Sequence, residues 1–150
     1  MRARLIIDGS YRLTHLHEGA WVDLDVLAGG ARAILPGGRP VDQAALEAAI
    51  EHAEDWLMPH AGALRGADLE VIDVAGHLDA GLQEVLSNDS RQRDSAQLEA
   101  LFLQLDFMTA RPHLAARLQA HSDTVAAIVM LRELAHHAKL ERVWLRGKVL

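Results

Sequence analysis

Nine histidines in 150 residues are the feature with the most chemical content, because neutral imidazole ligates divalent transition metals and changes charge near neutral pH. His15 and His17 stand two apart in Tyr11-Arg12-Leu13-Thr14-His15-Leu16-His17. On an extended chain both rings project from one face, where a converging third ligand would complete a site for zinc, iron or copper. Glu18 is adjacent to the pair and would point the other way. The plainer account of His15 and His17 is two exposed residues on a sheet surface. A second arrangement gathers His52, Asp55 and His60 at the end of one helical segment. There a carboxylate one turn from an imidazole would orient a general base, and His60 would sit in a loop. Many ordinary helix ends look the same.

Other candidates are thinner. Glu133-Leu134-Ala135-His136 has the spacing of carboxylate-bridged di-metal bundles, which need a second copy and two further glutamates from neighbouring helices. The helix over Leu98 to Met108 carries only Glu99 and Asp106, so Glu133 with His136 or His137 is more simply a surface pair near a helix C-terminus. Asp23 and Asp25, with Trp21, would line one sheet face, and an alternating acidic face is usually just solvated. The runs Ala28-Gly29-Gly30-Ala31 and Pro36-Gly37-Gly38-Arg39 have neither phosphate-loop nor dinucleotide spacing, and no Gly-x-Ser-x-Gly elbow occurs. Absence of cysteine removes disulfides, thiolate metal sites and cysteine nucleophiles together. No catalytic residue is therefore assigned from sequence, and a divalent metal is the one cofactor that the histidines suggest.

Charge and composition narrow the partners. A formal charge of −6 and an aromatic fraction of 4% argue against nucleic acid, which wants cationic surfaces and stacking faces. No run approaches a membrane span, and the apolar start of the chain is broken at Asp8, so a soluble cytoplasmic protein is expected. Thirteen Arg against two Lys suit a GC-rich bacterial genome. Residues 42–73 hold eight acids against one base, Arg65. Arg142, Trp144, Arg146 and Lys148 would form a basic face at the other end, and the two regions would complement each other across a subunit interface.

The elements that must position these residues follow from periodicity. Short β-branched runs start the chain, a strand spans Trp21 to Val26, and Gly29-Gly30 would turn it into a returning strand over Arg32 to Leu35. In that strand Val22, Leu24 and Val26 share one face. Asp42 caps a helix from Gln43 to Met58 that buries Leu46, Ala49, Ile50, Ala53 and Leu57 and ends at Pro59. A more central strand follows from Leu69 to Val74. Helices are expected at Leu78 to Leu86, at Leu98 to Met108 behind an Asp94/Gln97 capping box, from Pro112, and from a Ser122 or Asp123 cap through Leu134. Gly81 weakens the first of these by about 1 kcal/mol relative to alanine. Residues 87–93 read as an exposed, protease-sensitive connection.

The expected class is α+β in a single domain over 1–150: strand-rich over 1–75, helix-rich over 76–140, with a C-terminal strand over 142–149. Its sheet, antiparallel or mixed, combines the N-terminal hairpin with the central strand and is covered by helices from the second half. Two of those helices are apolar around most of their circumference. Leu101, Phe102, Leu105, Val129 and Leu131 are accordingly expected to bury against a second copy of the chain. The favoured function is a non-catalytic homodimeric interaction module, with itself or another protein as partner. The alternative is a metal-binding or acid–base enzyme or sensor built on a histidine-rich site.

Overall fold

The computed structural model describes residues 1–74, 76, 78, 80–82, 92–93 and 95–146. Its strands are β1 (Arg2–Ile7), β2 (Tyr11–His17), β3 (Ala20–Leu27), β4 (Asp68–Asp73), β5 (Gln92–Arg93) and β6 (Arg142–Arg146). The helices are α1 (Ala31–Ile34), α2 (Gln43–Ala61), α3 (Ser95–Thr109), α4 (Pro112–Leu118) and α5 (Ser122–His137), with a 3-10 turn at Gln119–His121. One mixed sheet runs in the order β3-β2-β1-β4-β6-β5. β1, β4 and β6 are parallel, while β2, β3 and β5 join antiparallel to their neighbours. The α+β class, the central place of β4 and the helical second half all agree with the sequence. None of the helices among the described residues is long and apolar enough to cross a membrane.

Several boundaries differ from expectation for local reasons. The hairpin turn lies at Glu18 and Gly19, both at positive φ (51° and 79°), as a two-residue turn between twisted strands requires. Gly29-Gly30 makes no hairpin. Gly30 turns the chain so closely onto Ser10 that an added Cβ would lie 3.0 Å from the Ser10 carbonyl carbon, and Ala31 to Ile34 form a short helix where a strand over Arg32 to Leu35 is expected. That turn buries Ile34 and Leu35 in the core. Pro59 lies inside the last turn of α2, which runs on to Ala61 and holds His60 on the helix. The Asp42 cap forms as expected, its carboxylate accepting from Ala45 N–H at 2.8 Å. Neither Ser122 nor Asp123 caps α5, because the 3-10 turn runs straight into it. The expected helix over 78–86 is helical where described, at Leu78 and residues 80–82. The expected connection over 87–93 lies outside the described residues apart from Gln92 and Arg93, which pair as a strand with β6. Asp94, Lys148 and the end of the expected strand over 142–149 also lie outside them.

The apolar circumference of the later helices has an explanation within the subunit. α5 is the central rod, packed by α1, α2 and α3, and every residue from Val125 to Leu131 is buried. Leu101, Phe102, Leu105, Val129 and Leu131 are at most 8% exposed, so they are spent on this core and do not present a face to a second copy. The apolar surplus of α3 is Leu103 and Phe107, both more than half exposed. The charged regions likewise find partners within the chain, Arg142 with Asp68 at 3.2 Å and Arg4 with Glu70 at 2.9 Å.

On β3 the expected alternation breaks at a bulge, where Leu13 and Thr14 face Asp25 and Asp23 and skip Leu24. Val22 and Val26 are exposed while Leu24 packs against the core. The two aspartates part company: Asp23 takes Arg12 at 3.1 Å, and Asp25 takes His60 of α2 at 2.8 Å. The His60 hydrogen bond, and then the Val26 N–H, hold the Asp25 carboxyl below its usual range.

Gly81 lies so close to Thr124 that an added Cβ would overlap its hydroxyl. Gly81→Ala should therefore destabilise by about 1–3 kcal/mol through overpacking, where helix propensity alone gives the opposite sign, and a urea melt reads which wins. For the β3–α2 contact, a depressed carboxyl pKa contributes stability above the ordinary carboxylate range and loses it as pH falls through the lowered value. His60→Ala should cost up to about 1 kcal/mol at neutral pH, since the pair is partly exposed, and the cost should vanish in strong acid. Equal cost at both pH values would contradict this role.

Candidate functional site

β1 and β4 are built from apolar runs that each end in Ile-Asp, and their parallel register sets Ile7 against Asp73. Asp8 follows Ile7 at once, so two carboxylates arrive at the same edge of the sheet. There they border a cleft of about 530 Å³, together with Ser10, Tyr11, Arg32, Asp123 and Thr124. Asp8 anchors the turn into β2 by accepting from the Ser10 hydroxyl at 2.8 Å. The close seat of Gly30 on Ser10 brings α1, and with it Arg32, to the rim. The first turn of α5 supplies Asp123 and Thr124.

The electrostatics of the cleft are uneven. Asp73 is 2% exposed and accepts from the Leu78 N–H. Tyr11 is 1% exposed, and its hydroxyl has no hydrogen-bond partner among the described residues. Burial, and then the negative charges of Asp123 and Asp73, push its phenol well above the ordinary tyrosine range. Tyr11 is therefore a neutral donor held beside carboxylates. Three carboxylates against one guanidinium leave the cleft net negative, which favours a cation or a cation-bearing ligand.

The structure places the expected histidines elsewhere. His15 and His17 do share a face of β2, with ring centroids 5.9 Å apart, but no third ligand converges on them among the described residues. His52, Asp55 and His60 do not form a constellation: His52 Nδ1 donates to the Ile34 carbonyl at 3.1 Å, His60 pairs with Asp25, and Asp55 faces solvent. Glu133 is not the surface residue expected but is 1% exposed. Among the described residues, Glu54, Glu133 and His137 alone bring three ligand atoms within 4.8 Å of one another. Sequence reasoning passed over Asp8, Ser10, Asp73 and Asp123. The repeated Ile-Asp at the end of two apolar runs, the first followed by Gly-Ser, was the signal available.

Comparison with known proteins gives fold and no more. No protein-family model and no curated protein matches the chain. Among solved structures, the crystal structure of the Aquifex aeolicus member of the Ppx/GppA protein family matches with a TM-score of 0.59 at 10% identity. The match covers 97% of this chain and 52% of that one, so the chain spans about half the length of the structure it resembles. At that identity the likeness is one of architecture.

Proposed function

We propose that the chain binds a divalent cation together with a phosphate-bearing ligand in the cleft at the ends of β1 and β4. The observation that carries this reading is Tyr11, a buried hydroxyl without a hydrogen-bond partner among the described residues, lining the cleft with Asp8, Asp73 and Asp123. Buried donors are nearly always paired, so an unpaired one beside a cleft points to a partner that arrives with the ligand. Charge selects the kind of ligand. A lone anion is repelled by the three carboxylates, whereas a doubly charged cation is attracted and reverses the local sign.

The cleft carboxylates do not converge to direct-ligand spacing. That suits magnesium, which keeps several waters and meets protein through one or two carboxylates plus ligand phosphates. With the cation in place, Arg32 and the hydroxyl of Thr124 become donors for phosphate oxygens. Sheets with parallel strands commonly take ligands outside the carboxyl ends of those strands, which is where this cleft lies.

Titration calorimetry with inorganic pyrophosphate, with and without magnesium, tests the reading. Binding is expected only when magnesium is present, and Asp8→Asn or Asp73→Asn should weaken it at least about tenfold, or 1.4 kcal/mol. Pyrophosphate binding that ignores both magnesium and these substitutions, or no binding at all, would overturn it. Self-association is a separate proposal, resting on the exposed Leu103 and Phe107 of α3. A dimer by sedimentation at micromolar concentration that Phe107→Asp dissociates would support it, and a monomeric wild type would dispose of it.

A further inference from the structure

Away from the cleft, a second cluster has ligand geometry of its own. Glu133 and His137 lie four residues apart on α5, and Glu54 reaches them from α2. Burying a carboxylate as completely as Glu133, at 1% exposed, is costly unless its oxygens are satisfied. Arg132 serves Oε1 at 2.8 Å and also holds Glu99 at 2.9 Å, with its guanidinium over the Phe102 ring. The other oxygen, Oε2, faces His137 Nε2 at 3.3 Å, and Glu54 Oε1 stands 3.6 Å from the same nitrogen. Neither contact is a hydrogen bond, since His137 Nε2 is buried without such a partner among the described residues.

These separations fit atoms that share an ion better than atoms that share a proton. In a tetrahedral zinc site with bonds of about 2.0–2.1 Å, neighbouring ligand atoms stand about 3.3–3.4 Å apart. Charge agrees. Glu54, Glu99 and Glu133 against Arg132 leave two negative charges in the cluster with His137 neutral, and one divalent ion supplies the difference. The imidazole decides the class of metal, because magnesium and calcium take oxygen ligands, whereas zinc accepts nitrogen and oxygen together.

We propose that Glu54, Glu133 and His137 bind a divalent transition metal, zinc foremost, that clips α2 to α5. The fourth position opens to solvent beside Glu54, whose side chain is 42% exposed. This site is independent of the cleft, for it uses other residues, another kind of metal and no phosphate.

Cobalt(II) titration of the tag-free, chelator-stripped protein, followed by displacement with zinc, reads the site directly. One equivalent of cobalt should give the intense visible bands of four-coordinate geometry, and zinc should abolish them. Glu54→Gln and His137→Gln should each weaken binding at least tenfold, while the His15→Ala, His17→Ala double variant binds as wild type. Circular dichroism checks that each variant is folded; should His137→Gln fail that check, Glu54→Gln carries the test, its side chain being partly exposed. Absence of stoichiometric cobalt binding, binding that survives Glu54→Gln, or binding lost with His15 and His17 would overturn the proposal.

Discussion

The parallel register that sets Ile7 of β1 against Asp73 of β4 is the constraint on which the cleft depends. It carries two apolar strands to one edge and leaves the acidic residue ending each run there, where both line the cleft. Everything at the rim is secondary to that placement. Asp8 folds the turn by accepting from Ser10, and Gly30 can sit on Ser10 only because it has no side chain. α1 then brings Arg32 to the rim. Tyr11 begins β2 just after the turn, so its phenol is carried inward beside carboxylates that raise its pKa further.

α5 supports this edge from beneath. Its apolar circumference is consumed by the sheet-facing core and by α1, α2 and α3, so its first turn is held firmly enough to present Asp123 and Thr124 to the cleft. Thr124 in turn lies against Gly81, which fixes that residue as glycine despite the cost in helix propensity. At its far end the same rod carries Glu133 and His137 to Glu54. A single buried helix thus links two clusters of polar side chains at opposite ends of the core.

Much of the architecture was legible in the sequence because it rests on periodicity. The Asp42 cap, the buried stripe of α2, the central β4 and the stripe Leu98, Leu101, Phe102, Leu105 and Met108 all follow from spacing that packing then satisfies. Arg32 to Leu35 read as a strand because the two glycines before them also suit a hairpin, and only the contact with Ser10 decides otherwise. A helix as apolar as α5 suggests a twin copy, because sequence does not show how many neighbours one subunit supplies. The site was harder still. Histidines drew attention by number, yet His52 and His60 take partners remote in sequence, Ile34 and Asp25. The cleft is assembled from four separate segments whose meeting is set by strand register and by α5, neither of which leaves a local motif.

The central claim is that the carboxylates at the strand ends hold a cation for a phosphate-bearing ligand. Anomalous scattering from crystals grown with manganese and pyrophosphate tests it most directly. The account predicts a manganese peak inside the cleft, bordered by Asp8, Asp73 and Asp123, with phosphate density on the side of Arg32. A cleft without manganese, in crystals that carry the ion elsewhere or not at all, would contradict it.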